Sequence, residues 1–351
     1  MRTAALAAVL VVAASCGGAR SAAPSSTPLP VPSPTATAPS SVAPATATPA
    51  AAPGRAVEDV IAQIDEARLV AHMNALVAVG SRDPRNPGHE KAAQYLRDAL
   101  VKMSVSFGQH QVTEQGTKLL SLIVTVQPGA PGAQTSLSGA VLVCAHYDST
   151  ASRTPGWRPA ADPAPGADEA TGTAALLEIT RILAGESASL RRPVVLAFFD
   201  GEDLGFKGSA AYQQTLAGLG QPIRFGNVID IDAVGFNPTA DRLDLIWYTN
   251  SSAGLRDRVA AANDRYKVGV TPLNPQLATD ASTILDAAPF GLAGIPAVAL
   301  VERYGDPDAT YPGNPAFHTT QDTPDRVTNH RLWLKAAKLA LATALDLARS
   351  G

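Results

Sequence analysis

The sequence predicts an α/β protein, a three-layer α/β/α sandwich around a central, mostly parallel mixed sheet. Three observations carry that prediction. Short, uninterrupted apolar runs of strand length recur along the chain, Val194–Phe199 being the clearest; helical segments with apolar stripes alternate with them; and acids and histidines stand where the runs stop. A strand buried on both faces needs an apolar residue at every position, and strand–helix alternation puts helices on both sides of a parallel sheet. Ligands of such sheets gather outside the carboxyl ends of the strands.

Taken in order, residues 57–79 and 88–103 carry apolar side chains at helical spacing and predict two amphipathic helices. Residues 119–126 and 140–145 predict strands, followed by a Pro/Gly-rich loop through Gly166 and a strongly apolar helix over 170–183. Further strands are expected over 194–199, 228–234, 243–248 and 297–301, with helices over 208–216, 252–263 and 331–349. No internal repeat is visible.

The 351 residues are 46% hydrophobic and 17% charged, a globular composition, and 28 Lys+Arg against 31 Asp+Glu give a net charge of −3. With no basic block along the chain, nucleic-acid binding is excluded. The N-terminus is unlike the rest. Met1-Arg2-Thr3 precedes a short apolar stretch over 4–14, which fits a secretory signal over residues 1–15 better than a membrane span of about 20 residues. Ala13-Ala14-Ser15-Cys16 resembles a bacterial lipobox with Cys16 as the lipidated residue; an ordinary cleavage site beside an incidental cysteine is the alternative. Residues 16–54 are almost wholly Ala, Pro, Ser, Thr, Val and Gly, a disordered, semi-rigid tether that cannot build a core. The folded α/β domain is then residues 55–351, on a chain expected to be exported, either as a cell-surface lipoprotein or secreted, touching membrane only through its lipid anchor. Cys144, inside an apolar run, reads as a buried small hydrophobe, and no intramolecular disulfide is expected in the mature chain.

Five segments at strand ends supply metal-ligand residue types. His146 and Asp148 follow the strand over 140–145; alone, His146 reads more readily as a structural histidine, with Asp148 available to orient its ring. Asp168 stands before the apolar helix, as an N-cap or as a carboxylate able to bridge two cations. Glu202 and Asp203 follow Val194–Phe199 and taken alone are a solvated acidic turn. Asp232 lies within a buried apolar run, where an unpaired charge is expensive. His318 opens His318-Thr319-Thr320-Gln321-Asp322-Thr323 in a loop.

Together these segments resemble the zinc aminopeptidase family of secreted bacterial leucyl aminopeptidases and aminopeptidase Y. Its members look like His-x-Asp-Ser, Gly-Ala-x-Asp-x-x-x-Gly, Glu-Glu followed by Gly-x-x-Gly-Ser, Asp-x-Val-Gly and His-Thr…Asp-Thr, and here HYDST, GADEATG, GEDLGFKGS, DAVG and HTTQDT follow in that order. Gly80-Ser81-Arg82 and Gly294-Ile295-Pro296-Ala297 also look like the family, so the resemblance spans nearly all of residues 57–351. It implies a zinc exopeptidase-like fold and two Zn²⁺ per chain. Asp168 would bridge the ions; His146 and Asp232 would complete one site, Asp203 and His318 the other. Glu202 would be the uncoordinated general base, with Asp148 in the catalytic set. The substrates would be peptides with a free N-terminus.

Two departures stand out. Asp203 replaces the usual Glu and is one methylene shorter. Where an Asp-His-x-Pro-Phe segment is common, the chain has Asp286-Ala287-Ala288-Pro289-Phe290, leaving Asp286 as a group for the substrate amine. Glutaminyl cyclases, single-zinc relatives that form N-terminal pyroglutamate, share features of 198–202 and 237–239, but Gly205-Phe206-Lys207-Gly208-Ser209 follows the acidic pair directly, where cyclases usually carry an insertion. A surface-tethered binding protein that lost the chemistry would have shed ligands that this chain retains. Cobalt or manganese would suit the same ligand types. Side-chain preference and oligomeric state leave no mark in the sequence.

Overall fold

The computed structural model describes residues 54–248, 252–278, 285–302 and 313–350. The segments expected to be a signal and most of a tether, with Cys16, lie outside them. Eight strands form one sheet: β1 (Phe107–Glu114), β2 (Thr117–Val126), β3 (Val141–His146), β4 (Val194–Phe199), β5 (Asn227–Asp232), β6 (Leu243–Tyr248), β7 (Leu273–Ala278) and β8 (Ala297–Val301), in the order β1-β2-β4-β3-β5-β8-β6-β7. The central strands β4, β3, β5 and β8 run parallel, whereas β1–β2, β2–β4 and β6–β8 pair antiparallel. The α/β class and mixed sheet expected from the alternation are present.

Every residue of β3, β4 and β8 is buried, and alternate residues serve opposite faces. Val141, Val143 and Ala145 pack in the larger core with helices α2 (Glu66–Val77), α3 (Pro87–Lys102), α4 (Ala170–Ala184), α6 (Ala253–Arg265) and α8 (His330–Arg349). Leu142 and Cys144 join the smaller core beneath α5 (Lys207–Ala217) and α7 (Ala288–Leu292). Helix α4 is buried almost all round, which explains its lack of a polar stripe, and α8 crosses it with the Trp333 indole N–H donating to Thr171 O at 3.0 Å. Cys144 is a buried free thiol, as expected. No helix among the described residues is long and apolar enough to cross a membrane.

Four details differ from the sequence reading. The single helix expected over 57–79 is two, α1 (Val57–Ile61) and α2, because the Asp65 carboxylate accepts the Arg68 N–H and starts a new helix. Strands β1 and β7 and the short helix α7 carry too little apolar pattern to announce themselves. Strand β1 is half exposed along its length, and β7 contains Pro275; both lie at sheet edges, where one side of the backbone needs no partner.

Candidate metal centre

The parallel strands β3, β4, β5 and β8 end at one edge of the sheet, and their register decides which end residues meet. Cys144 lies opposite Asp230, so His146 and Asp232, each two residues on, arrive level, with His146 Nε2 and Asp232 Oδ1 3.1 Å apart. The other ring nitrogen, Nδ1, is 3.3 Å from Asp148 Oδ1. Asp148 also accepts the Glu202 N–H on Oδ1 and the Asp203 N–H on Oδ2, both at 3.1 Å, so one fully buried carboxylate holds both the imidazole and the acidic turn after β4. Burial alone would raise the Asp148 pKa; His146 and the two amides outweigh it and leave the group below its ordinary value.

His318 supplies the other half. Its backbone is left-handed, with φ 58°, and its Nε2 lies 2.9 Å from Glu169 Oε1 and 3.2 Å from Asp203 Oδ1. Ala233, directly after Asp232, is also left-handed at φ 45°. Non-glycine residues in that region are uncommon and costly, and both flank this edge of the sheet. The shorter Asp203 therefore still reaches the histidine.

Two groups of side chains offer ligand atoms that all lie within 4.8 Å of one another: His146, Asp148 and Asp203, and Glu169, Asp203 and His318. Asp203 belongs to both. Glu202, next to Asp203 and largely buried, belongs to neither, and nor does Asp232. The Asp168 carboxylate also enters neither group: its Oδ2 accepts from Asn314 Nδ2 at 3.1 Å, while its backbone N–H donates to Asp322 Oδ2 at 3.2 Å. Nor is Asp168 the cap of α4. That position falls to Glu169, whose side chain makes no capping bond. Asp286 is 1% exposed, and burial, with Asp230 adding, pushes its pKa well up.

Several residues that frame the site carry no signal of their own in the sequence. Glu169 is hidden beside Asp168. Arg82, in the Gly80-Ser81-Arg82 motif, is fully buried and donates to Tyr147 O, Pro165 O and Gly166 O at 2.7, 2.7 and 2.9 Å, tying the loop before α4 to the end of β3. Asp200 accepts the Leu120 N–H at 2.7 Å and the Tyr147 hydroxyl at 3.1 Å, and its other oxygen is 2.9 Å from His89 Nε2, which anchors the first residue of the acidic turn.

The donor set fits a cation. Both carboxylate oxygens of Glu169 and of Asp203, together with Asp168 Oδ1, are buried without a hydrogen-bond partner among the described residues. Buried polar atoms are normally paired, and carboxylates left unpaired together need a positive partner or protons. Mixed imidazole and carboxylate ligands suit zinc.

That crowding has a pH signature. Burial is the largest cause in each case, and it raises Glu169 to about 8, Asp230 to about 7 and Asp322 to about 6. Folded-state pKa values above those of the unfolded chain mean that the folded protein holds protons the unfolded chain has released. The stability they contribute is complete below the ordinary carboxyl range near ~4 and is lost as pH rises toward ~8. Metal-free protein is therefore expected to melt at steadily lower temperature from about pH 5 to about pH 8. A bound cation, replacing the protons, should flatten that slope. Thermal melts of chelator-stripped and zinc-reloaded protein check this, and a metal-free melting temperature that climbs across the window would contradict it.

Known proteins place this geometry. The chain resembles the LapA aminopeptidase of Legionella pneumophila at TM-score 0.66 and 19% identity, over 84% of this chain and 75% of that one. It resembles a glutaminyl cyclase of Porphyromonas gingivalis at TM-score 0.64 and 20% identity, over 81% of this chain and 98% of that one. At those identities the likeness shows the fold alone. The zinc aminopeptidase BSAP of Bacillus subtilis matches at 25% identity and TM-score 0.52, over 66% of this chain and 51% of that one. The sequence profile of peptidase family M28 matches residues 122–344, more than half of the chain and every site residue from His146 to His318. The chain belongs to peptidase family M28.

Proposed function

We propose that this protein is a zinc-dependent aminopeptidase that hydrolyses the first peptide bond of peptides with a free N-terminus. The observation that carries the reading is that Asp203 shares one ligand group with His146 and Asp148 and another with Glu169 and His318, with Asp232 against the His146 ring and Glu202 next to Asp203 but outside both groups. His146 and Asp232 would hold one ion, Asp203 and His318 a second, with a carboxylate of the Asp168–Glu169 pair between them. Zinc at these positions supplies Lewis acidity and lowers the pKa of water at the site toward ~7.

The chain's own residues do the rest. Glu202 takes the proton of the attacking water and returns it to the departing amine. Asp148 holds the His146 ring and the 202–203 backbone in one arrangement, so base and ligands keep their spacing. The excess of carboxylates over cations at this edge attracts the ammonium of a free N-terminus, which favours exopeptidase action over internal cleavage. Asp286, on this reading, adds to that field and does not meet the amine directly, since it is 1% exposed. We extend the proposal to location: the chain is exported and tethered through Cys16 and the Pro-rich segment, or is secreted.

The test is metal analysis of the purified protein beside a panel of aminoacyl-anilides and Gln-peptides. Two zinc equivalents per chain, anilide hydrolysis and loss of turnover on chelation are expected. One equivalent with pyroglutamate release from Gln-peptides would make the protein a glutaminyl cyclase instead. A chelator-insensitive fold that binds no metal would leave a binding protein.

A further inference from the structure

Two acids, Asp168 and Glu169, stand side by side before α4. Consecutive residues entering a helix point about 100° apart, so the two carboxylates meet different neighbours. Counted forward from Gly166-Ala167, the motif Gly-Ala-x-Asp puts the acid at Glu169; counted back from Gly172, Asp-x-x-x-Gly puts it at Asp168. The chain is one residue short of satisfying both counts, and the sequence leaves the choice open.

The structure makes the choice. Glu169 is 1% exposed; its Oε1 lies 2.9 Å from His318 Nε2, and neither carboxylate oxygen has a hydrogen-bond partner among the described residues. It shares a ligand group with Asp203 and His318, and Asp203 in turn shares a group with His146 and Asp148. Its place is built for it. A Cβ on Gly166 would come within 2.1 Å of Glu169 Oε2, so the glycine leaves room for the carboxylate, and Arg82 pins that glycine's carbonyl at 2.9 Å. Asp168 points elsewhere: one oxygen is taken by Asn314 and the side chain belongs to neither group, although its Oδ1 is also unpaired.

We propose that Glu169, not Asp168, is the metal-ligating carboxylate at the start of α4, beside Asp203 and His318, and that Asp168 is a positioning residue that fixes the Asn314–Asp322 loop and, through it, His318. This rests on the two-metal reading above. The experiment compares the full chain with Glu169→Gln, Glu169→Asp and Asp168→Asn, each stripped and titrated with Zn²⁺ by calorimetry and with Co²⁺ by visible absorption. Circular dichroism melts confirm that each variant is folded.

Glu169→Gln, the same size without the charge, is expected to lose one equivalent or to bind it on the order of tenfold or more weakly, with an altered cobalt spectrum. Glu169→Asp, charged but one methylene shorter, should bind both equivalents more weakly than wild type and more tightly than Glu169→Gln. Asp168→Asn should retain two equivalents within a few-fold and an unchanged spectrum. Loss of an equivalent in Asp168→Asn equal to or greater than that in Glu169→Gln overturns the proposal, as does wild-type titration of Glu169→Gln. A wild-type chain that binds no metal overturns the two-metal reading itself, and this assignment with it.

Discussion

Replacing Glu202 by Gln is expected to lower kcat on aminoacyl-anilides by on the order of 10²–10⁴, the usual contribution of a positioned general base, while zinc content and KM stay close to wild type. The separation of these readouts follows from where Glu202 stands. Its backbone N–H is held by Asp148, as is that of Asp203, but its side chain belongs to neither ligand group and is only partly exposed. Asp203, one residue on, is shared by both groups, so its neutralisation should cost metal as well as turnover. The glutamine keeps the size and removes the charge, and with it the ability to take a proton. Steady-state kinetics with elemental analysis of the same preparation is the check. Turnover within a few-fold of wild type would remove Glu202 from the mechanism, and loss of zinc would make it a ligand.

The largest structural effect is expected from Gly172→Ala, a change that looks benign in sequence. Gly172 lies in the first turn of α4, where Ala ordinarily gains about 1 kcal/mol of helix propensity over Gly. Here that gain is overwhelmed. A Cβ at 172 would sit 2.1 Å from Ile231 O and 3.0 Å from Ile231 C. Both are backbone atoms, so no side chain can rotate away; either α4 or β5 must move. Overpacking typically costs 1–3 kcal/mol, and a backbone contact this short belongs near the upper end, leaving a net loss of about 2 kcal/mol. The damage would not stay local. Ile231 precedes Asp232, and Gly172 follows Glu169 by less than a turn, so the shift that relieves the clash separates ligands on the two elements. Denaturant unfolding and zinc titration should report both effects, and a stability gain near the helix-propensity value would show that α4 and β5 are less closely packed than described.

Much of the fold was legible because burial writes itself into composition. Strands β3, β4 and β8 are buried at every residue, and their uninterrupted apolar runs located them to within about a residue. Edge strands β1 and β7 were not legible. Their backbones are recruited by hydrogen bonds to β2 and β6, and exposed or partly exposed side chains such as those of Gln109, Gln111 and Asn274 carry no apolar signature. The break between α1 and α2 turned on a single Asp65 carboxylate capping a helix, a signal masked by the apolar spacing on either side.

The sequence by itself determined the α/β class, the order of the strand-end motifs and the kinds of ligand they carry, because an apolar run must stop where the sheet ends and polar residues collect there. It also marked Glu202 and Asp203 as an adjacent pair at such an end. Only the tertiary structure decided which atoms meet. Strand register brought His146 level with Asp232, the buried Arg82 guanidinium set the loop before α4, and the rotation of that helix start turned Glu169 toward His318 and Asp168 toward Asn314. Adjacent acids are equivalent in a string of letters. They become different when backbone direction, set by packing against residues more than a hundred positions away, sends their side chains to different neighbours.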